Sequence, residues 1–227
     1  LSQGEFGLKL LDSVDVETGP QPKSAVIWLH GLGADGHDFE AVVPELVRPG
    51  ERALRFVLPH APIRPVTING GMSMRAWYDI GGFERNAAQD ESGIRASAAA
   101  VHGLIERENK RGIPTERIVL AGFSQGGAMA LFIGTRATQK LAGIIGLSCY
   151  MLLGSTLAVE RSAVNQTTPI FVAHGTRDPV VDVRLGEETR RLLEEAGYSV
   201  TWHRYPIPHS VSPEELSQIA TWLRRVL

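Results

Sequence analysis

The sequence predicts an α/β fold: one domain whose sheet is mostly parallel, with helices on both faces. Three observations carry this. Short apolar runs alternate with amphipathic stretches along the chain. The runs are continuous, as strands buried on both faces require. The length, 227 residues, suits one domain with a sizeable core.

The elements follow in order. Residues 1–24 form an N-terminal segment; the chain starts with Leu, and residues 1–7 are set aside as foreign to the domain, which spans 25–227. Buried strands are expected at 25–29 (AVIWL), 54–58 (LRFVL), 118–121 (IVLA), 142–148 and 170–174. Residues 200–205 (VTWHRY) alternate and are expected nearer an edge. Helices are expected at 38–47, 92–111, 125–138, 183–196 and 213–226. Between them, 59–89 is rich in Pro and Gly and shows no period, so it reads as a long functional loop. No segment is long enough to form a large lid domain, and no repeat or linker divides the chain.

Composition excludes several classes. Apolar residues make up 43% and charged residues 21%, as in ordinary globular proteins. A formal charge of -2 argues against nucleic acid and against a polybasic membrane anchor. No apolar run approaches the roughly 20 residues of a transmembrane helix, and the first residues lack a signal-peptide pattern. The single cysteine, Cys149, forbids an intramolecular disulfide and agrees with a cytoplasmic location.

Residues 122–126, Gly-Phe-Ser-Gln-Gly, spell G-x-S-x-G between an expected strand and an expected helix. This is the context of a nucleophile elbow. Glycines flank the serine because the turn is too tight for side chains. Ser124 is then lifted clear of the sheet, beside the free N–H groups of a helix start. A glycine-rich turn without chemistry is the plain alternative, which the partners below disfavour.

A serine hydroxyl needs a general base, and the base needs an orienting acid. With this elbow the chain order is Ser, then Asp or Glu, then His. Of seven histidines, His203 and His209 come late enough. His203 lies mid-strand and reads as structural. His209 lies in the loop before the last helix, at the sheet's carboxyl edge, where catalytic groups gather. Asp178 follows the strand at 170–174 and sits on a loop at the same edge. Its rival, Asp182, precedes a helix and suits an N-cap.

His30-Gly31-Leu32-Gly33 follows the first buried strand. Such a turn suits the second donor of an oxyanion hole, so the expected donors are the backbone N–H groups of Leu32 and Gln125. Because they act through position, their side chains are expected to matter less. His30 reads as a support of the turn. Residues 31–36 also spell G-x-G-x-x-G, but the dinucleotide reading needs a carboxylate at the end of the second strand, and Val57-Leu58-Pro59-His60 has none. No H-E-x-x-H, C-x-x-C or Walker pattern occurs, so no metal, nucleotide or other cofactor is inferred.

With these residues in hand, the chain resembles the phospholipase/carboxylesterase family of α/β-hydrolases, which includes bacterial carboxylesterases and acyl-protein thioesterases. The matching stretches are LHGLGADG (29–36), WYDI (77–80), DESGI (90–94), GIPTERIVLAGFSQGGA (112–128), LAGIIGLSCY (141–150), HGTRDPVV (174–181) and HSVSPEEL (209–216). The resemblance runs from about residue 25 to the end. It implies a single-domain α/β-hydrolase with Ser124, Asp178 and His209 as triad, and Leu32 and Gln125 as oxyanion donors. Two positions depart from the family. Ile207-Pro208 stands where the family usually has glycine and methionine before the histidine. Tyr150 stands where thioesterase members often have tryptophan. Both bear on the substrate rather than the chemistry.

The expected function is serine-dependent hydrolysis of carboxylic esters, a carboxylesterase, through an acyl-enzyme. The alternative within that chemistry is an acyl-protein thioesterase or lysophospholipase. From another class, a non-catalytic ligand-binding member of the fold is disfavoured, since such a protein needs no intact Ser, Asp and His. The expected substrate is a small-molecule ester or acyl thioester. Met74, Trp77, Tyr150, Met151, Val180 and Ile207, with Leu32 and Met72, are candidates to line an acyl groove; core or loop packing is the plain alternative for each. Cys149 reads as a packed thiol. An exposed apolar rim would serve a substrate or a homodimer partner.

Overall fold

A computed structural model describes residues 10–48, 50–82 and 88–227. Seven strands form the main sheet: β1 (Ser13–Glu17), β2 (Ala25–Leu29), β3 (Arg55–Pro59), β6 (Ile118–Phe123), β7 (Gly143–Leu147), β8 (Ile170–Gly175) and β9 (Val200–Tyr205). Two more, β4 (Ile63–Val66) and β5 (Met72–Arg75), form a separate antiparallel hairpin. The helices are α1 (Val43–Leu46), α2 (Glu91–Lys110), α3 (Gln125–Arg136), α4 (Leu157–Glu160), α5 (Val183–Glu195) and α6 (Pro213–Val226).

Strand order is β1-β3-β2-β6-β7-β8-β9, and every pairing is parallel except β1 with β3. The expected mostly parallel sheet is present, with β9 at its edge. Side chains alternate across it, as strand geometry demands. Ile27, Leu120 and Ile144 face one core, closed by Ile94 and Val101 of α2, Met129 and Ile133 of α3 and Leu193 of α5. Val26, Val119 and Ile145 face the other, closed by Val43 and Leu46 of α1 and Ile219 and Trp222 of α6. Two-sided burial accounts for the continuous apolar runs.

Three elements differ from expectation. The helix expected over 38–47 shrinks to a 3-10 turn, Glu40–Val42, and the single turn of α1. Pro44 lies in that first turn, and proline is tolerated there but not deeper in a helix. The segment 59–89, read as irregular, holds the β4–β5 hairpin. Strand β1, unassigned from sequence, joins the sheet through charge. The buried Arg55 guanidinium lies 2.6 Å from Asp15 and 2.8 Å from Glu17 of β1, and 2.9 Å from the wholly buried Glu108 of α2. Removing one member of such a buried set strands a charge, a strongly destabilising change.

The layout also fixes where a site can form. From β2 the chain moves outward to β3, and it later returns to the other side of β2 as β6. Loops leaving β2 and β6 therefore diverge, opening a crevice at the carboxyl ends of the strands.

The α6 start carries a titratable group in an apolar setting. Ser212 caps the helix, its hydroxyl accepting from the Glu215 N–H at 3.2 Å. The Glu215 side chain is buried, and neither carboxyl oxygen meets a hydrogen-bond partner among the described residues. Burial pushes its carboxyl up from 4.5 to about 7. The unfolded carboxyl ionises near 4.5, while the folded one holds its proton up to about 7. Stability is thus largest below the first value, falls as pH rises between the two and stays low above. Glu215→Gln removes the loss, so urea unfolding at pH 8 should show the variant more stable by up to about 3 kcal/mol. At pH 4 that advantage should vanish; an equal advantage at both pH values would overturn this account.

Candidate active site

Four loops leaving the carboxyl ends of β2, β6, β8 and β9 meet in the crevice. At the end of β6, Ser124 adopts φ 53°, ψ -120°. A non-glycine residue at positive φ is strained, typically by about 1–3 kcal/mol. The strain follows from how closely α3 is pressed to the sheet. A Cβ on Gly126 would lie 2.1 Å from the Leu29 carbonyl oxygen, and one on Gly122 would lie 2.3 Å from the Gly126 backbone. No side chain fits at either position, so the G-x-S-x-G spacing is a packing requirement.

Ser124, His209 and Asp178 come together as the sequence predicts. His209 Nε2 lies 2.9 Å from Ser124 Oγ, and His209 Nδ1 lies 2.7 Å from Asp178 Oδ2. The Asp178 side chain has no exposed surface. Its Oδ1 accepts the N–H groups of Val180 at 2.8 Å and Val181 at 2.9 Å. The carboxylate is thereby locked, with Oδ2 left for the imidazole. A hydroxyl, an imidazole and a carboxylate in one row let the ring take the hydroxyl proton while the carboxylate steadies the charged ring.

The rivals fall elsewhere. His203 stands on β9, its ring stacked on Phe171 at 5.2 Å and on Tyr205 at 6.0 Å. Asp182 caps α5 by accepting from the Arg184 N–H at 2.9 Å. Burial raises the Cys149 thiol pKa well above its ordinary value, which leaves it a packed thiol.

The expected oxyanion donors lie on opposite lips of the crevice. The Gln125 N–H is the first of α3, where no helix carbonyl can reach it. Around Leu32, the Gly33 N–H donates to Arg75 at 2.9 Å and the Ala34 N–H to Gly31 at 3.3 Å. His30 braces this turn. Its Nε2 accepts the Ala61 N–H at 3.0 Å, so its Nδ1 carries the proton and donates to the Gly31 carbonyl at 2.7 Å. Burial lowers the His30 pKa to about 4, which keeps this single-proton form at neutral pH.

One expectation is corrected. The Gln125 side chain is not incidental: it is buried and fully engaged. Its Oε1 accepts the Trp77 N–H at 2.7 Å, and its Nε2 donates to the Tyr78 carbonyl at 2.8 Å. Trp77 Nε1 in turn donates to the His30 carbonyl at 2.9 Å. One amide therefore ties the helix behind Ser124 to the turn that carries Leu32. Sequence reasoning missed this because the partners lie 48 and 47 residues away in the chain.

The candidate groove residues separate. Trp77 has 0% exposure and belongs to the core. Ile207 packs on the α6 side of the sheet, away from Tyr150 and Met151. Met74 takes an Asn69 N–H on its sulfur at 3.2 Å and sits beside Gly33. Met72 and Val180 are exposed. Tyr150 and Met151 do line a cavity of about 230 Å³, with Tyr78, Ile80, Leu185 and Leu192. The hydroxyls of two of these lining residues, Tyr78 and Tyr150, meet at 3.1 Å.

A serine on a strained strand-to-helix turn, at the switch point of a mostly parallel sheet, with a loop histidine and a loop aspartate in line, defines an α/β-hydrolase. The sequence pattern of the phospholipase/carboxylesterase family matches residues 12–227, and the chain belongs to that family of hydrolases. It is 48% identical to acyl-protein thioesterase 1 of Neurospora crassa over 210 residues, which cover 88% of this chain and 85% of that protein. With acyl-protein thioesterase 1 of Gibberella zeae it shares 43% identity over 218 residues, covering 91% and 92%. Among solved structures, Arabidopsis thaliana SOBER1 superposes with a TM-score of 0.84 at 31% identity, over 89% of this chain and 98% of that one. Acyl-protein thioesterase 2 of Zea mays gives 0.83 at 28% identity, over 95% and 99%.

Removing the Gln125 amide should loosen the turn without deleting a backbone donor. Gln125→Ala should therefore cut kcat/KM for p-nitrophenyl acetate roughly tenfold, well short of the 10²–10³ expected when an oxyanion donor is lost outright. Unchanged kinetics in the folded variant would return the side chain to an incidental role.

Proposed function

We propose that this chain is a serine hydrolase that cleaves acyl thioesters and esters, in the manner of the acyl-protein thioesterases it is similar to. The observation that carries the reading is the row Ser124 Oγ, His209 Nε2 and Nδ1, Asp178 Oδ2, at 2.9 and 2.7 Å. Relatives named acyl-protein thioesterase over nearly the whole chain favour the thioester substrate over a small carboxylic ester.

Ser124 Oγ attacks the acyl carbonyl carbon while its proton passes to His209 Nε2. Asp178 accepts from Nδ1 and stabilises the imidazolium. The carbonyl oxygen, now negative, takes the N–H groups of Gln125 and Leu32. On collapse the bond to the leaving sulfur or oxygen breaks, and His209 returns the proton to the leaving group. Water then attacks the acyl-serine while passing a proton to His209; as the bond from the acyl carbon to Oγ breaks, His209 returns that proton to Ser124 Oγ, which releases the acid and restores the free serine. A cysteine thiolate leaves readily, since its thiol has a pKa of about 8.5. The same groups therefore serve thioesters and esters.

The cavity beside Tyr150 and Met151 is our candidate for the acyl chain, because Tyr78 on its wall is held by Gln125, next to the nucleophile. Each methylene buried there contributes about 0.8 kcal/mol, up to about fourfold in kcat/KM, until the space is filled.

Mutagenesis tests the assignments. Ser124→Ala should fold normally, lose fluorophosphonate labelling and lose nearly all turnover of both an S-acylated peptide and p-nitrophenyl esters. His209→Ala and Asp178→Asn should be nearly as damaging, whereas His203→Ala and Asp182→Asn should retain most activity. Activity in Ser124→Ala, or equal damage from His203→Ala in a folded protein, would reject the roles. In an acyl series from acetate upward, kcat/KM should rise through short-to-medium chains and then level. A strict preference for acetate would place the proposed wall residues in the core instead.

A further inference from the structure

A second imidazole lies against Asp178, with no part in the reaction above. His174 is on β8 and wholly buried. Its Nε2 is 2.8 Å from the Val181 carbonyl oxygen and 3.5 Å from Asp178 Oδ2. A carbonyl can only accept, so Nε2 carries the proton. Burial lowers the ring's pKa, which leaves it neutral with a bare Nδ1. That Nδ1 has no hydrogen-bond partner among the described residues. A buried polar atom without a partner calls for an explanation, because it is a cost the fold has retained.

The opposite wall carries a second cost. Gly186 lies inside α5, where glycine is a poor helix former. A Cβ on it would lie 2.4 Å from His174 Nδ1 and 3.1 Å from the Trp202 ring. The helix therefore has room for the imidazole only because residue 186 has no side chain. What these two features deliver is a single N–H, aimed at the turn that holds the acid. Within that turn, Asp178 Oδ1 takes the Val180 and Val181 N–H groups, and His174 takes the carbonyl of Val181 from the other side. Both polar groups of the Val181 backbone are thus fastened, one by the carboxylate and one by the ring.

We propose that His174 is a positioning residue for Asp178: its Nε2–H pins the Asp178–Val181 turn, directing Oδ2 at His209. The inference rests on the reading of Ser124, His209 and Asp178 as a triad. It assigns no proton transfer to His174, whose ring stays neutral while His209 cycles.

Three variants test it. His174→Leu removes the donor and keeps an apolar fill. His174→Gln can return an amide N–H near the position of Nε2. Gly186→Ala displaces the ring from the α5 side and leaves the turn's sequence intact. The readouts are kcat and KM on p-nitrophenyl acetate, thermal midpoint, and the strongly deshielded proton between His209 Nδ1 and Asp178 Oδ2 in the NMR spectrum. His174→Leu and Gly186→Ala should lower kcat on the order of 10- to 100-fold, as misplaced catalytic groups do, with KM changed by less than about twofold. In both the deshielded resonance should shift or disappear, and His174→Gln should recover most of each loss. If His174→Leu fails to fold, Gly186→Ala and His174→Gln carry the comparison. A lowered thermal midpoint with kcat and the resonance unchanged would make His174 a packing residue and overturn the proposal. Failure of the triad reading looks different: Ser124→Ala would keep its turnover.

Discussion

The site depends on how closely α3 is pressed against the ends of β2 and β6. With the Gly126 position only 2.1 Å, measured to a hypothetical Cβ, from the Leu29 carbonyl oxygen, the backbone has little choice of path. The serine must then take a left-handed conformation, its hydroxyl must face outward, and the first N–H groups of the helix must point into the crevice. The remaining loops supply partners to a geometry already imposed by that contact. The sheet can bear the strain because both of its faces are packed, with Leu120 against one core and Val119 and Ala121 against the other.

Around this contact, buried polar groups hold the loops in register. Gln125, Trp77 and His30 form a chain of hydrogen bonds with little access to water, where each bond is stronger and each loss more costly than at the surface. The His30 carbonyl ends this chain, and its ring extends the bracing because it carries one proton, donating to the Gly31 carbonyl and accepting the Ala61 N–H. Were it doubly protonated, the Ala61 N–H would face a second donor. Desolvation thus helps to set the shape of the turn.

Much of this was legible in the sequence. The strands could be read because burial on both faces leaves long apolar runs. Ser124, Asp178 and His209 could be read because the elbow has steric rules and because chain order and sheet edge narrow the partners. The β4–β5 hairpin was not legible: Ile63-Arg-Pro-Val and Met72-Ser-Met-Arg keep apolar residues at both exposed and covered positions, and Pro65 argues against a strand. Strand β1 was hidden for a related reason. Its Asp15 and Glu17 look like solvated charges until Arg55 is placed beside them. The Gln125 side chain and His174 take their meaning from contacts across the fold. Periodicity and motif cannot report these, although a buried histidine four residues before the acid was a signal that could have been weighed.

The row of three side chains has a consequence for how the chain matures. Ser124 and His209 are separated by 85 positions, and Asp178 and His209 by 31. Each of the three rides on the end of a different strand, so their alignment requires β6, β7, β8 and β9 to be laid side by side. Contacts of such long sequence separation form slowly, because the loop between them must be closed first. A chain with its early strands and α2 in place could carry much of its secondary structure and still lack a reactive serine. On the role proposed for Ser124, its reactivity toward an electrophile would be a late marker of folding, tracking assembly of the distal half of the sheet rather than collapse of the core.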